Sequence, residues 1–439
     1  MSNSQELPKD WTRVDLVRVA QVIDPHPSHR APDEERDGVP FAGIGDLNEQ
    51  GEIVTDSVRR VSPRVLNEHA SRYTLSGNSI GFGRVASIGK VIDFQESVAG
   101  IAISPTLAVI EPKSVNRKYI VQALRSNFVR EQIDRLLTGT TRSSLGIELL
   151  RKLSIPMPAN GEPEKIGLIL TVVDNTIRQT EALIAKYQQI KAGLMHDLFT
   201  RGVTPDGRLR PNSESKRTKF GWIPNDWTLG SLLDVADPLR QPILTGPFGA
   251  DLGNDDFVKE GVPVLRIGNV QQGWLDLSDL LYVTEAKALE LQRYKVEEGD
   301  LLFARQGATT GRNALASCDA HGCLVNYHII RVALDHSRCA PMFIEAAFSG
   351  EIVKRQVERD KGRGTREGIN TAQLKALELP LAPLDEQQTI ARILVTCGAV
   401  LAKTQDHIEK LRQQKHGLMQ DLLTGRVRVK VGESQELSA

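Results

Sequence analysis

The stretch IKAGLMHDLFT at Ile190–Thr200 recurs as QKHGLMQDLLT at Gln414–Thr424, and this duplication decides how the chain is organised. The offset of 224 residues that relates the two stretches also relates Leu153 to Leu377, far upstream of them. Nearer the N-terminus the spacing changes, but the pattern of residues persists. A repeat of this length predicts two copies of one structural unit in place of a single large core.

Each copy ends in a segment whose apolar residues recur at alternating steps of four and three, as they do along the seam of a coiled coil. The seam positions of the first copy are Ile166, Leu170, Val173, Ile177, Thr180, Ile184, Tyr187, Lys191, Leu194 and Leu198. Those of the second copy are Ile390, Leu394, Cys397, Leu401, Thr404, Ile408, Leu411, Lys415, Leu418 and Leu422. The threonine and the lysine match between copies, and polar seam residues usually fix register or orientation at some cost in stability. The pattern predicts two long helices that pair with each other; two amphipathic helices packed on separate cores are the alternative.

Residues typical of helix ends bound both predicted helices. Pro163 suits a first helical turn, and Asp385 with Glu386 favours a helix N-terminus. Gly202 and Gly425 follow the last seam residues, as glycine often does at a helix C-terminus. The first long helix is therefore expected to extend over about 164–200.

Each half begins with a variable domain of mixed character. Short runs such as Val262–Ile267 and Asp300–Ala304 have the alternation or β-branching of strands. One helix is predicted to close each domain, at Tyr119–Leu137 and at Phe343–Arg359. The predicted fold class is α+β, with two similar mixed α/β domains separated by two long helices. The predicted boundaries are 1–158 for the first domain, 159–202 for the central helix, 203–221 for a linker, 222–382 for the second domain, 383–427 for the distal helix and 428–439 for a flexible tail.

The overall charge does not single out nucleic acid as a partner, because 55 basic residues are offset by 55 acidic ones. Any nucleic-acid contact must be local, since affinity depends on the lysines and arginines at the interface. No stretch approaches the roughly 18 apolar residues of a membrane-spanning helix, and the N-terminus lacks the features of a secretion signal. We therefore expect a cytoplasmic protein without a membrane anchor. Its four cysteines all lie in the second half, which argues against a disulfide framework.

Four features of the sequence resemble the type I restriction-modification specificity-subunit family. They are the duplicated layout, the ends of the two long helices, the proline-led strand ends at Ile155-Pro156 and Leu379-Pro380, and the run DEQQTIARIL at Asp385–Leu394. The resemblance covers nearly the whole chain. The first copy departs from the pattern, because it has NGEPEKI at Asn160–Ile166 where the second copy has LDEQQTI. Partner contacts at the start of the first helix are therefore less well defined by the resemblance.

The resemblance implies both a fold and a function. In that family each variable domain is a target-recognition domain for one half of a split DNA site. The long helices form an antiparallel coiled coil that docks two modification (methyltransferase) subunits. Methylation of adenine and ATP-driven cleavage belong to the modification and restriction (endonuclease/translocase) subunits. We therefore expect a non-catalytic subunit that binds double-stranded DNA and has no catalytic residue, cofactor or metal of its own.

The residues by themselves agree with this function. Two similar but non-identical domains on a rigid rod predict an asymmetric, bipartite DNA target, because sequence is recognised at base edges while spacing is fixed by the scaffold. At a rise of about 1.5 Å per residue the rod is about 50 Å long. That length corresponds to about 15 base pairs of DNA.

Four glycine-containing loops are the best candidates for DNA contact. They are GRVASIGK (Gly83–Lys90) and GTTRSS (Gly139–Ser144) in the first half, and ARQGATTGRN (Ala304–Asn313) and KGRGTREG (Lys361–Gly368) in the second. Arginine, hydroxyl groups and backbone amides suit phosphate oxygens, while forked Arg, Gln and Asn side chains match purine edges. The predicted DNA-binding residues are Arg84, Lys90, Thr140, Thr141, Arg142, Arg305, Gln306, Thr309, Arg312, Asn313, Arg363, Thr365 and Arg366.

Each of these candidates has a structural alternative. The two Thr-Arg loops can be solvated loops with a helix-terminal arginine, and the other two can be ordinary hairpin tips. Asn326 and His328 are placed to contact bases from a strand, but a structural histidine with satisfied hydrogen bonds is the favoured interpretation there. The group formed by Cys318, His321, Cys323 and Cys339 matches no common zinc spacing.

Two other classes of function stay open on the sequence. One is a single-chain DNA methyltransferase or nuclease with duplicated recognition domains, and the other is a coiled-coil scaffold without a DNA role. The run Asp237-Pro238-Leu239-Arg240 begins like an amino-methyltransferase motif, but it lacks the second proline and the aromatic residue that would hold a flipped adenine. A turn is the favoured interpretation of that run.

Overall fold

The computed structural model describes residues 7–26, 28, 30–94, 100–138, 144–158, 161–361 and 368–430. The chain divides into two compact units. The first unit comprises Met1–Ala182 with Asp406–Ala439, and the second comprises Leu183–Gln405. The boundary falls within both long helices. Each unit therefore contains one variable domain, the beginning of one long helix and the end of the other.

The first unit combines short strands with short helices before the first long helix begins. In chain order its elements are β1 (Thr12–Asp15), α1 (Leu16–Val19), β2 (Ala20–Ile23), β3 (Glu34–Ala42), β4 (Arg60–Val61), α2 (Pro63–Ala70), β5 (Ile80–Gly83), β6 (Val91–Asp93), β7 (Ala102–Ile103), β8 (Leu107–Pro112), α3 (Arg117–Leu124), α4 (Asn127–Leu137), α5 (Ile147–Arg151), β9 (Ser154–Met157) and α6 (Glu162–Arg201), whose second half belongs to the second unit.

Two sheets and one strand pair organise the first unit. The larger sheet has the order β2-β8-β5-β6, and all its neighbours are antiparallel. The smaller sheet has the order β4-β3-β7, in which β3 and β7 are parallel. Along β8, Ala108 and Ile110 belong to one hydrophobic core, whereas Leu107 and Val109 belong to another. Successive side chains of a strand point to opposite faces, so β8 is covered on both sides.

The second unit repeats this plan with a longer set of strands. In chain order its elements are β10 (Ser215–Thr218), β11 (Gly221–Pro224), β12 (Thr228–Ser231), β13 (Ile243–Thr245), β14 (Phe257–Val258), β15 (Val262–Leu265), β16 (Leu281–Val283), α7 (Glu285–Glu290), β17 (Leu301–Ala304), β18 (Asn313–Leu315), β19 (Leu324–Val325), β20 (Ile329–Val332), α8 (Pro341–Phe348), α9 (Glu351–Lys361), α10 (Thr371–Lys375), β21 (Glu378–Leu381) and α11 (Leu384–Leu422), whose second half belongs to the first unit.

One sheet of the second unit matches the larger sheet of the first strand for strand, whereas the other has four strands where the first unit has three. The order β13-β20-β17-β18 corresponds to β2-β8-β5-β6, and β12 pairs with β21 as β1 pairs with β9. In the order β14-β16-β15-β19, the last two strands are parallel, as β3 and β7 are. The duplicated sequence therefore folds into two similar α/β domains, as predicted.

The two long helices pack against each other within the first unit. Ile166 and Leu170, near the beginning of α6, share a core with Leu422, near the end of α11. The seam lysine of α11 has a carboxylate partner there, because Lys415 Nζ lies 2.6 Å from Asp174 Oδ1. The ion pair offsets part of the cost of placing a charge in an apolar seam.

The second unit contains the complementary contacts. Leu194 and Leu198, near the end of α6, pack with Ile390 and Leu394, near the beginning of α11. In both units the beginning of one helix therefore lies beside the end of the other, as antiparallel pairing requires. The predicted antiparallel coiled coil is confirmed; α6 begins and ends within three residues of the predicted 159–202, whereas α11 ends at Leu422, five residues before the predicted 427.

Each predicted closing helix is in fact a pair of helices. In the first unit the chain breaks between α3 and α4, because the Ser126 side chain accepts a hydrogen bond from the Val129 N–H and caps α4. In the second unit Ser349 and Gly350 separate α8 from α9. The single-helix prediction was wrong because apolar periodicity continues across a two-residue interruption and does not report it.

The segment predicted as a linker is ordered in the second unit. Strands β10 and β11 form a hairpin in which Arg217 lies opposite Trp222, and Val203 forms a β-bridge with Leu209. A polar, glycine-containing composition shows that a segment lacks an apolar face of its own. It does not show whether side-chain hydrogen bonds to a neighbouring domain will order that segment.

A buried carboxylate at the beginning of α11 fixes this segment. Glu386 is 6% exposed and accepts hydrogen bonds from Val203 N at 2.7 Å, Arg210 Nη2 at 2.6 Å and Trp227 Nε1 at 3.0 Å. Gly202 ends α6 with a φ of +68°, and a side chain at that position would collide with the Glu386 carboxylate. We call Val203, Arg210, Trp227 and Glu386 the Glu386 cluster.

The segment after α11 repeats this arrangement in the first unit. Arg428 Nε lies 3.0 Å from Glu162 Oε1 at the beginning of α6, and Arg428 Nη2 lies 2.7 Å from Asp10 Oδ2. The Arg428 guanidinium also lies 6.0 Å from the centre of the Trp11 ring. The chain is thus held in place at Arg428, where the predicted flexible tail begins; residues 431–439 lie outside the described part.

Candidate nucleic-acid interface

Both units place a short loop at the end of an inner strand of the larger antiparallel sheet. In the first unit the loop between β5 and β6 begins with Arg84, and in the second the loop between β17 and β18 begins with Arg305. The backbone contacts of these arginines are the same. Leu145 N donates to Arg84 O at 2.8 Å, and Ile369 N donates to Arg305 O at 2.8 Å. The two loops are therefore structurally equivalent.

A second predicted loop ends beside each of these loops. Val85 forms a β-bridge with Ser144, and Gln306 forms the corresponding bridge with Gly368. Ser144 and Gly368 are the last residues of the two Thr-Arg loops predicted to contact DNA. The structure thus brings together, in each domain, the described ends of the two loops that the sequence singled out. Six candidates lie outside the described residues, and their DNA contact stays a prediction: Thr140, Thr141, Arg142, Arg363, Thr365 and Arg366.

Arg305 is a half-buried cation. Its Nη1 lies 3.4 Å from Tyr327 O, and its buried Nε has no hydrogen-bond partner among the described residues. Burial lowers the pKa of this guanidinium, and neighbouring Tyr327 offsets that effect only in part. A cation that is partly removed from water without a carboxylate partner is destabilised. An anion that bound beside Arg305 would supply the missing interaction.

A hydrogen bond between side chains orients Gln306. Its Oε1 lies 2.7 Å from His328 Nδ1, so Nδ1 carries the proton and donates it to the amide oxygen. Burial and the charge of Arg305 both lower the pKa of His328, which favours the neutral imidazole. The amide N–H groups of Gln306 form no hydrogen bond with any described residue. His328 therefore forms a structural hydrogen bond, as the sequence favoured. The same bond also sets the orientation of the Gln306 side chain.

Two aromatic rings flank this pair. The Tyr327 ring lies 3.7 Å from the His328 ring, centre to centre, and 6.0 Å from the Phe248 ring. Phe248 and Tyr327 are 59% and 38% exposed, respectively. Neither residue is among the candidates that the sequence predicts. A proline and two glycines around Phe248 were the available signal, because such a segment cannot bury a large ring in a regular strand.

The remaining candidates of the β17–β18 loop have internal partners. Thr309 Oγ1 donates to Gln306 O at 3.2 Å and closes the loop, whereas Arg312 Nη1 donates to Gln271 Oε1 at 2.9 Å. Both side chains are partly exposed. Arg312 thus retains a positive charge whose hydrogen-bond partner is a neutral amide.

Three predicted residues are occupied inside the protein. Arg84 is 7% exposed, donates to Leu145 O at 3.0 Å and lies 3.4 Å from Asp24 Oδ2. Asn313 is fully buried. The Lys90 ammonium donates to two backbone carbonyl oxygens of the first unit, at 2.6 and 3.1 Å. Sequence patterns identify forked and charged side chains but not the direction in which they point.

Cysteine and histidine side chains in the second domain, at Cys318, His321, Cys323 and Cys339, do not come together as a metal site among the described residues. Cys323 and Cys339 are buried, whereas Cys318 is exposed. In the ranges that the structure describes, no three His, Cys, Asp or Glu side chains are placed to share a metal ion. None of the described helices has the length and apolar character needed to cross a membrane.

Comparison with known families and proteins gives consistent matches. The sequence model of the family described as "Type I restriction modification DNA specificity domain" matches residues 8–189 and again residues 224–413. The type I restriction enzyme MjaVIII specificity subunit of Methanocaldococcus jannaschii is 24% identical over 336 residues, which is 75% of each chain. The putative MjaX specificity subunit of the same organism is 27% identical over 219 residues, so this chain spans about half (48%) of its length.

A solved structure has a similar fold. The S subunit of a type I restriction-modification system from M. genitalium matches with a TM-score of 0.58 at 15% sequence identity. The match covers 96% of this chain and 98% of the other. Because the sequence identity is low, this similarity concerns the fold alone.

Proposed function

This chain belongs to the type I restriction modification DNA specificity family, and from that premise we propose that it is the DNA-recognition subunit of a type I restriction-modification complex. Each of its two domains recognises one half of a bipartite target. One observation carries the proposal: in each of the two specificity domains the last residue of the Thr-Arg loop, Ser144 or Gly368, forms a β-bridge to an equivalent loop that follows the same inner strand. Two non-identical copies of one binding surface suit an asymmetric, divided site.

The contact surface proposed for the second domain is centred on Arg305. A half-buried cation with no carboxylate partner among the described residues favours phosphate or a guanine edge, since both supply acceptor oxygens or nitrogens. Arg312 and the exposed Phe248 and Tyr327 extend this surface. Arg84 and Asn313 are omitted because they are buried, and Lys90 is omitted because its ammonium donates to two backbone carbonyls. The full proposed set is Thr140, Thr141, Arg142, Phe248, Arg305, Gln306, Thr309, Arg312, Tyr327, Arg363, Thr365 and Arg366.

The long helices have the length needed to set a DNA spacing. α6 contains 40 residues and α11 contains 39. A helix of that size is about 60 Å long at about 1.5 Å per residue. We propose that this length fixes the number of base pairs between the two half-sites.

The chemistry is assigned to partner chains. We propose that two modification subunits, which methylate adenine, and the restriction subunits dock on this chain in the cytoplasm, and that this chain itself is non-catalytic. The relatives named above are specificity subunits of type I restriction enzymes, which supports this division of labour.

The experiment that tests the proposed function is a domain exchange followed by methylome sequencing. Cells express this chain with its modification subunits, and residues 8–158 are replaced by the corresponding domain of a relative. We expect one half of a bipartite methylated target to change and the other half and the spacing to stay the same. A change in both halves would show that the domains are not independent. Methyl transfer or cleavage by the purified chain alone, given S-adenosylmethionine or a divalent metal, would instead support the single-chain enzyme.

A further inference from the structure

The two domains differ at one equivalent position of their candidate loops. The residue after the loop arginine is Val85 in the first domain and Gln306 in the second, and each forms a β-bridge to the end of the neighbouring Thr-Arg loop. Val85 is 37% exposed, and Gln306 is partly exposed. Because the backbone contacts at this position correspond in the two loops, the chemical difference there lies in the side chain. One domain presents an apolar group here and the other presents an amide.

The partner that orients Gln306 is also specific to the second domain. Arg84 N donates to Thr106 O, and Arg305 N donates to His328 O, so His328 occupies the position of Thr106. The His328 ring is held by the Tyr327 ring, 3.7 Å away, and its Nδ1 is 2.7 Å from Gln306 Oε1. The amide oxygen thus accepts from a partly buried donor, and the amide N–H groups have no hydrogen-bond partner among the described residues.

This orientation changes which base the amide suits. A glutamine with both ends available pairs with adenine, because it accepts from N6 and donates to N7. His328 occupies one of the two lone pairs of that oxygen and fixes the amide, so that the NH2 group, which has only donors, is its opposite end. The major-groove edge of guanine offers two acceptors, N7 and O6, and no donor, whereas the N6 amino group of adenine would face donors from Gln306 and from adjacent Arg305.

We propose that Gln306, oriented by His328, is a specificity-determining residue that recognises the acceptor edge of a guanine in the half-site of the second domain. This inference rests on the proposed function. Gln306 makes the contact, and His328 is a positioning residue that acts through it. Val85 gives the first domain an apolar contact at the equivalent point, so the two half-sites differ there in chemistry.

The test is methylome sequencing of cells that express the complete complex with single substitutions. Gln306→Val installs the side chain of the first domain. In the unmodified complex we expect guanine to be preferred roughly 5- to 150-fold at one position of the second half-site, and in this variant we expect no preference there. His328→Leu frees the amide oxygen, so the same position should accept guanine and adenine within about threefold of each other. His328→Asn keeps an N–H donor for the Gln306 oxygen and should retain the guanine preference.

The control is Leu239→Ala. Leu239 is 95% exposed and precedes β13, so it lies at the end of the sheet opposite the β17–β18 loop. The complex with this substitution should therefore methylate the same target as the unmodified complex. The proposal is overturned if Gln306→Val and His328→Leu leave every target position unchanged, or if the altered position is an A·T pair in the original target. If His328→Leu fails to accumulate, Gln306→Val decides alone, because valine already occupies this loop position in the first domain. A complex that methylates no bipartite target at all would refute the proposed function itself.

Discussion

Replacing Glu386 with glutamine tests how the second unit is held together. The substitution keeps the size of the side chain but changes one of its two oxygens to an NH2 group. In the native structure one oxygen accepts from Val203 N, and the other accepts from both Arg210 Nη2 and Trp227 Nε1. Whichever way the amide turns, at least one buried donor faces another donor.

The magnitude follows from these contacts. A charge-assisted hydrogen bond contributes about 1.5–3 kcal/mol, and an unsatisfied buried donor costs about 1–3 kcal/mol. Glu386 is 6% exposed and Trp227 is fully buried, so water cannot compensate. Burying a neutral amide in place of a carboxylate regains part of the loss. The expected net destabilisation is about 3 kcal/mol, or about 6–12 °C in the melting temperature of a unit of this size.

Differential scanning calorimetry of the full chain, with Trp227 fluorescence as a second probe, measures this change. Glu162→Gln in the first unit should produce a smaller shift, because Trp11 Nε1 forms no hydrogen bond to Glu162. Glu290→Gln should shift the transition by about 1 °C or less, since that side chain is 68% exposed in its pair with Lys287. An unshifted Glu386→Gln protein, or equal shifts in all three variants, would refute the reasoning.

Three further outcomes are expected. Deleting one heptad from each long helix together should shorten the spacing between half-sites by about three base pairs, because seven residues span about 10.5 Å, and an unchanged spacing in the methylome would contradict a spacer role. Arg305→Ala should lower the affinity of the complex for its target about 5- to 150-fold in a salt titration, whereas Arg355→Ala, which removes a carboxylate-paired arginine, should have little effect; equal losses would argue against Arg305 as a contact. Burial lowers the pKa of His69 to about 4 from an ordinary value of 6.5, so the unfolded chain binds a proton that the folded chain does not, and the stability of the first unit should fall as the pH drops from about 6.5 to about 4. His69→Asn should flatten that dependence in thermal melts, and parallel curves for the two proteins would exclude His69 as the cause.

The first unit shows why His69 resists protonation. His69 is 2% exposed, and its Nδ1 lies 2.9 Å from the Tyr73 hydroxyl. Its Nε2 lies 3.1 Å from His26 Nδ1, and His26 Nε2 lies 2.9 Å from Arg30 O. Arg30 O can only accept, so His26 Nε2 donates to it; the chain continues with His69 Nε2 donating to His26 Nδ1 and the Tyr73 hydroxyl donating to His69 Nδ1. A proton added to His69 Nδ1 would place a donor against that hydroxyl. Burial is the largest cause of the lowered pKa of His69, and the nearby charge of Arg72 acts in the same direction.

The sequence determined what is encoded by periodicity and repetition. The heptad seam predicted the two long helices, and the duplicated segments predicted two similar domains, because a period is a local property of the chain. The Thr-Arg and glycine-containing loops were found as two separate candidates in each half for the same reason. The sequence also placed Lys191 and Lys415 in the seam, although it did not identify Asp174 as the partner of Lys415.

Only the tertiary structure decided which side chains face outward and which residues distant in sequence meet. Arg84 and Arg305 begin equivalent loops, yet Arg84 is buried beside Asp24 while Arg305 is a half-buried cation. Arg210 and Arg428 lie in segments that composition marks as a linker and a tail, yet each binds a carboxylate at the beginning of the long helix that it does not follow. Hydrogen bonds and ion pairs of this kind join residues far apart in the chain, so no local pattern specifies them, and the direction of each side chain follows from the packing that surrounds it.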